Sequence, residues 1–207
     1  TYLVPLARGE KIGAWGLTES SSGSDAAGMR TMATRDGGAW VVNGSKTFTT
    51  HGRVGDTLVA MAITDRSAGS RGISAFVFEK GTTGLRPGKK EDKLGMRASD
   101  TSEVLFDHCR VPEDHLVGQE GHGFGDAMQV LDAGRIGIAA LAVGLAQGAY
   151  EAALRYAQER RAFGKTISQF QAIQWKLADS ATRIEAARLL TYRAAYMKDH
   201  QRRMTLE

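Results

Sequence analysis

Cysteine, proline and long apolar runs are all scarce in this 207-residue chain. The single cysteine, Cys109, cannot close an internal disulfide, which excludes a disulfide scaffold and a cysteine-based zinc cluster and points to a reducing compartment. The five histidines, at 51, 108, 115, 122 and 200, show no metal-ligand spacing, so no metal site is expected. No run of about 18 apolar residues is found, and no membrane span is expected. No signal peptide, internal repeat or low-complexity tract is visible. The chain starts at Thr1 without a methionine and reads as the middle of a longer protein.

Glycine is abundant but unevenly placed. Twenty of the 25 glycines lie between Gly9 and Gly125, and only Gly164 lies after Gly148. The three prolines, Pro5, Pro87 and Pro112, also fall in the first part. Glycine and proline punctuate local structure, so two regimes follow: turn-rich, then almost breaker-free. The 42% hydrophobic and 24% charged content is that of an ordinary folded chain.

Charge is uneven too. Residues 1–154 hold 16 Lys and Arg against 18 Asp and Glu, whereas residues 155–207 hold 11 against 5. A nucleic-acid face would need interleaved aromatics for stacking, and these are lacking. Solvated helix faces or contact with anionic small molecules fit better.

The first part reads as strands. Residues 29–36, 39–42 and 45–50 are β-prone, separated by Asp36-Gly37-Gly38 and by Asn43-Gly44, both hairpin signals. Further strands are expected at 57–64, 73–79 and 103–106, giving an antiparallel barrel or sandwich. The second part reads as two helices of about 30 residues, each about 45 Å long. The first spans 126–158, with Val130, Leu131, Ile138, Leu141, Leu145, Tyr150 and Leu154 at helical spacing. Arg160 to Ile167 forms a break. Ser168 and Gln171 then match a capping box for a second helix carrying Phe170, Ile173, Leu177, Ile184 and Ala187. Two helices cannot enclose a core, so partner helices are expected elsewhere.

Gly121-His122-Gly123-Phe124-Gly125 lacks the preceding strand of a dinucleotide fingerprint and reads as a loop. Gly72-Ile73-Ser74-Ala75-Phe76 lacks the last glycine of a nucleophile elbow and reads as strand. The segment Trp15 to Asp25 is the most unusual: one aromatic followed by small hydroxyl residues and glycine. Such a loop can present backbone N–H and hydroxyl donors to a polar ligand beneath an aromatic lid, or be an ordinary loop. Lys46 to Gly52 alternates aromatic and hydroxyl residues. Arg160-Arg161-Ala162-Phe163-Gly164 lies where the helices meet, where arginine either caps a helix end or grips a phosphate.

These motifs, in this order, resemble the flavin-dependent acyl-CoA dehydrogenases, most closely the short-chain (butyryl-CoA) subclass. The matching stretches are Leu17-Thr18-Glu19 with Gly23-Ser24-Asp25, Asn43-Gly44-Ser45-Lys46, Lys93-Leu94-Gly95-Met96-Arg97, Leu131-Asp132-Ala133-Gly134-Arg135, and Arg160-Arg161-Ala162-Phe163-Gly164 with Gln169-Phe170-Gln171. The resemblance implies a multi-domain α+β fold. Residues 1–124 would be an antiparallel β-barrel middle domain, and 125–207 part of a C-terminal four-helix bundle.

It further implies FAD as cofactor. Trp15 would border the isoalloxazine, Leu17 and Thr18 would bond its polar edge, and Gly23 and Ser24 would line the same loop. Phe48 would cover the other ring face where the family usually has Trp, with Thr49 and Thr50 beside it. Arg160, Phe163, Phe170 and Gln171 would reach the FAD of a neighbouring subunit, which implies a homo-oligomer, most readily a tetramer. Ser24, Asp132 and Arg135 would face the acyl-CoA substrate, and an electron-transfer flavoprotein would accept the electrons. The location would be cytoplasmic in a bacterium and the mitochondrial matrix in a eukaryote.

Two departures stand out. Ser20 replaces the proline usual after the Glu19 position, and Phe48 lacks an indole N–H. No catalytic residue is assigned. Most of the family place the base in later helices. A minority place a Glu just before the arginine matching Arg135, and here that position is Gly134. An oxidase-like relative, or a non-catalytic flavin-binding scaffold subunit, would share these motifs.

Overall fold

The computed structural model describes residues 1–202. It divides into two compact units, Thr1–Ala127 and Met128–Glu207. In chain order the elements are α1 (Leu3–Ala7), β1 (Gly13–Gly16), β2 (Met32–Asp36), β3 (Ala39–Thr50), β4 (Thr57–Ile63), β5 (Ile73–Glu79), β6 (Leu85–Lys90), β7 (Thr101–Pro112), β8 (Leu116–Val117), α2 (Gly123–Glu159), β9 (Arg161–Ala162), β10 (Lys165–Thr166) and α3 (Gln171–Asp199). The chain is thus mixed α+β, β-rich first and helical second.

The sheet of the first unit runs β6-β7-β3-β2-β4-β5-β8, with β1 added to β4. Most pairings are antiparallel, as expected, but β1 and β2 both run parallel to β4. The β2–β3 hairpin intervenes in sequence between β1 and β4, and such a crossover lets β1 reach β4 in parallel. The sheet curls over its own core. Phe78 of β5 and Phe106 of β7 stack with centroids 4.9 Å apart, and Trp40 of β3 meets Phe76 edge-on at 5.2 Å.

Gly37 and Gly38 turn β2 into β3 with φ of 53° and 76°, the left-handed pair a two-residue hairpin needs. Asn43-Gly44 does not turn. β3 runs straight through it, and the pairing with β7 shifts register between Val42 and Gly44. This second hairpin expectation is therefore wrong: the twelve-residue β3 has a long partner in β7, and the ladder absorbs Gly44 (φ 145°) as a bulge. β1 and β6 were not expected at all.

In the second unit, α2 and α3 carry the helical spacing expected of them. The Ser168 capping box fails. Residues 167–169 form a 3-10 turn, Phe170 occupies the N-cap without a side-chain bond, and Ser168 Oγ instead meets Thr166 Oγ1 at 2.9 Å. Val143, Ala157 and Thr191 are buried, and Arg188 Nη2 donates to Gln147 Oε1 at 2.9 Å between the helices. Many large apolar side chains stay exposed, among them Ile138, Leu141 and Leu145 on α2, and Trp175, Leu189 and Tyr192 on α3. An 18-residue window of α2 reaches a mean hydropathy of 1.4. By length and composition alone this helix is long and apolar enough to cross a bilayer. The same composition suits a helix packed by partners on more than one face.

Candidate functional site

The site begins with a side chain that ought not to be where it is. Lys46 of β3 is fully buried, and its Nζ lies 2.8 Å from Glu19 Oε1. The strand's alternation puts it there: Trp40, Val42 and Lys46 all face inward. Glu19 is buried as well, and accepts from Arg30 N at 2.6 Å and Thr31 N at 3.0 Å. The Lys46 ammonium also donates to the Leu17 carbonyl at 3.2 Å and approaches Met29 Sδ at 3.8 Å.

One ion pair thus ties both ends of the Leu17–Thr31 loop to β3. Within the loop, Glu19 and Ser22 exchange backbone bonds of 2.9 and 3.1 Å, and Ser22 Oγ donates to Asp25 O at 2.5 Å. This tight turn forms without the proline usual after Glu19, so Ser20 leaves the loop closed.

Burial pushes the Glu19 carboxyl upward, but donation from Lys46, Thr31 and Arg30 outweighs it and holds the group below the ordinary carboxylate value. Burial also lowers Lys46, and Glu19 opposes this in part. We take the pair as ionised, since each partner satisfies the other's charge.

Thr18 sits beside this anchor. Its carbonyl accepts from Thr47 N at 2.8 Å, fixing the loop against β3. Its own N–H and hydroxyl have no acceptor among the described residues. Trp15 lies on β1, a strand rather than the expected loop, and is half-buried; Leu17 is buried. Gly23 and Ser24 are exposed in the loop.

At Phe48 the strand changes face. Its φ is 54°, and the β3–β7 register slips between Lys46 and Thr49. The inward set switches from even to odd positions, so Phe48 and Thr50 point out and Thr49 points in. Phe48 is 64% exposed. Thr49 is buried, and its hydroxyl has no partner. The Thr47–Thr18 bond thus sets Thr18 next to the outward-facing Phe48. Thr49 is excluded from the outward set, because its hydroxyl faces the sheet interior.

The remaining candidates belong to the second unit. Asp132 and Arg135 lie one turn apart on α2 and pair with each other, Arg135 Nη1 donating to Asp132 Oδ1 at 2.7 Å. The link between α2 and α3 is a miniature hairpin, β9–β10, turned by Phe163 (φ 49°) and Gly164 (φ 80°). Arg161 Nη2 closes it on Gly164 O at 2.8 Å. Phe163 is 95% exposed and stands edge-on to Phe170 at 6.2 Å. Lys165 Nζ lies 4.4 Å above the Phe170 ring. Arg160, Phe163, Phe170 and Gln171 are thus brought to one end of this unit.

Open donors on Thr18 beside an outward aromatic at Phe48 fit one edge and one face of a planar ring that carries hydrogen-bond acceptors. An exposed guanidinium at Arg160 beside Phe163 fits an anionic, aromatic ligand. Among the described residues, no three His, Cys, Asp or Glu side chains gather as metal ligands would. Sequence reasoning quoted Glu19 and Lys46 within motifs but gave neither a role. The available signal was a lysine at an inward register position of an otherwise core-facing strand.

Comparison with known proteins accounts for both units. The model of the acyl-CoA dehydrogenase middle domain matches residues 14–109, and that of the acyl-CoA dehydrogenase C-terminal domain matches 121–207. A short-chain-specific acyl-CoA dehydrogenase of Clostridium acetobutylicum is 52% identical over 197 residues, covering 95% of this chain and 52% of that protein. The butyryl-CoA dehydrogenase structure from Megasphaera elsdenii aligns with a TM-score of 0.94 at 47% identity, covering 99% of this chain and 54% of the other. A chain from a structure described for the electron transferring flavoprotein of Acidaminococcus fermentans aligns at 0.93 and 51% identity, over 98% and 53%. This chain therefore spans about half the length of the relatives it matches.

Proposed function

Because the chain belongs to the acyl-CoA dehydrogenase family, we propose that it forms the flavin- and thioester-binding part of a short-chain acyl-CoA dehydrogenase. The single observation that carries this reading is the unpartnered N–H and hydroxyl of Thr18, held beside the outward ring of Phe48.

FAD bound here would accept the electron pair lost when an acyl-CoA becomes its trans-2-enoyl-CoA. The chain's own residues position it. Leu17 and Thr18 hold the polar edge of the ring, with Thr50 at the same edge. Trp15 and Phe48 cover its faces and keep water away. Gly23 and Ser24 let the loop approach the pantetheine arm closely, and Asp132 and Arg135 receive the CoA portion. Arg160, Phe163, Phe170 and Gln171 reach the FAD of a neighbouring subunit in a homotetramer, and the exposed apolar faces of α2 and α3 fit further bundle helices. An electron-transfer flavoprotein takes the electrons, a reading supported by the likeness to a chain from a structure described for such a flavoprotein. The compartment is the cytoplasm of a bacterium or the mitochondrial matrix of a eukaryote.

Among the described residues we assign no base for removal of the α-proton. Such a base must be a carboxylate whose pKa is raised by desolvation, and Glu19, the buried carboxylate here, is held below the ordinary value instead.

The test is spectroscopic. The purified protein is expected to be yellow and to release FAD on denaturation. A colourless protein that takes up no added FAD overturns the cofactor reading. The 207-residue chain alone is expected not to dehydrogenate butyryl-CoA, and turnover with an artificial electron acceptor would show that it carries its own base.

A further inference from the structure

We propose that Lys46, locked to Glu19, is a positioning and polarising residue for the flavin: its ammonium draws on the Leu17 carbonyl and so strengthens the Thr18 N–H as a donor to the ring's polar edge. The proposal rests on the FAD reading above.

The geometry has three parts. First, the Leu17 carbonyl and the Thr18 N–H belong to one peptide group. Lys46 Nζ donates to that carbonyl at 3.2 Å, while the N–H of the same group has no acceptor among the described residues. A charged donor on the oxygen of an amide increases the positive character of its N–H, and the low-dielectric interior magnifies the effect. Second, the peptide cannot turn away. Thr18 O is bonded to Thr47 N at 2.8 Å, and Glu19, the next residue, is fixed by three donors. Third, a buried ion pair is an expensive way to fasten a loop. Two apolar side chains of similar volume would do so as well or better. A charge retained one peptide away from an open donor has a use that apolar fastening lacks.

Reduction places negative charge on the polar edge of a flavin, so a strengthened donor there favours the reduced form. The prediction is directional. In Glu19→Gln/Lys46→Met, both charges leave, the methionine stem keeps the packing, and the glutamine oxygen still accepts from one of the two loop N–H groups. Its bound flavin is expected to favour the reduced form about tenfold less, a midpoint about 30 mV lower for a two-electron couple. In Glu19→Gln alone, the buried ammonium loses its counter-ion and gives up its proton, so the midpoint is expected to fall as in the double variant. In Lys46→Arg the charge stays, and the midpoint is expected near wild type.

A loop-fastening role alone would weaken FAD binding without tying the midpoint to the Lys46 charge. Midpoints measured by dye equilibration on the FAD-loaded full protein decide the matter. Lowered midpoints in Glu19→Gln and in the double variant, with Lys46→Arg near wild type, support the proposal. Unshifted potentials in the single and double variants that hold FAD overturn it. If the double variant does not fold, the single variant still decides, since an unmoved midpoint in Glu19→Gln is incompatible with the proposal. Failure of the wild-type protein to bind FAD would instead remove the cofactor reading itself.

Discussion

Lys46 and Glu19 form a buried ion pair, Nζ to Oε1 at 2.8 Å, in which the lysine has no solvent exposure and the glutamate side chain has 6%. The pair joins the middle of β3 to a loop that would otherwise hang from β1 by a few backbone bonds.

Removing one partner of such a pair is far worse than removing both. Lys46→Met leaves a buried carboxylate facing only two backbone donors, and the expected loss is about 3–5 kcal/mol of unfolding free energy. Glu19→Gln/Lys46→Met leaves no buried charge and is expected to lose much less. Urea denaturation of the two variants measures this. A single variant as stable as the double one would show that the pair is not electrostatically coupled.

The same pair gives an acid-sensitive stability. The Glu19 pKa in the folded chain lies below its unfolded value. Its contribution is therefore fully present above about pH 4.3 and is lost as pH falls through the folded value. Between pH 6 and pH 3 the wild-type melting temperature is expected to fall more steeply than that of Glu19→Gln/Lys46→Met. Parallel curves would assign the acid loss to other carboxylates.

Much of this arrangement was legible in the residues, and the failures share a cause. The Asp36-Gly37-Gly38 turn, the span of β5 and the helical regime after Gly125 follow from local chemistry, because φ > 0 and hydrophobic period are set within a few residues. Asn43-Gly44 carries the same local signal but lies opposite a long strand, and ladder pairing with β7 overrides it. Ser168 offers a cap, but the 3-10 turn puts Phe170 at the helix start. β1 and β6 escaped notice because they are short and rich in glycine or charge, and only their partners make them strands. For the site, the motifs placed Trp15, Thr18 and Phe48, whereas the inward turn of Thr49 follows from the positive φ of Phe48, which no spacing reveals.

Gly44 should tolerate no side chain. Its φ is 145°, and a Cβ built there would lie 2.7 Å from the Thr31 Cα and 2.5 Å from Thr31 Oγ1. Thr31 is the residue whose N–H binds Glu19, so the clash would also disturb the anchor. Gly44→Ala is expected to cost about 1–3 kcal/mol, visible as a lower melting temperature. An unchanged melting temperature would show that the bulge can shift register freely.

Cys109 should be inert in the folded protein. It is fully buried in the sheet core, and burial pushes its thiol up to about 11. At pH 8 it is expected to react with an aromatic disulfide reagent roughly two orders of magnitude more slowly than an exposed cysteine, and at the normal rate after denaturation. Rapid labelling of the native protein would mean that the β7 region opens readily.

Phe163 tests whether an unfavourable backbone is kept for binding. It occupies the first turn position of the β9–β10 hairpin at φ 49°, where asparagine or glycine is preferred and a bulky residue costs about 1–2 kcal/mol. It regains little within this chain, being 95% exposed with one edge-on contact to Phe170. A side chain that strains its own turn and buries almost nothing is a sign of a ligand or partner that uses it. Phe163→Asn is therefore expected to raise thermal stability slightly, by no more than about 1 kcal/mol, while weakening FAD retention in the assembled protein. Stability is read from the melting curve and retention from flavin released on dilution. An asparagine variant that holds FAD as tightly as wild type would show that the strain serves something other than the flavin. One that melts lower would show that the Phe163–Phe170 contact outweighs the strain of the turn.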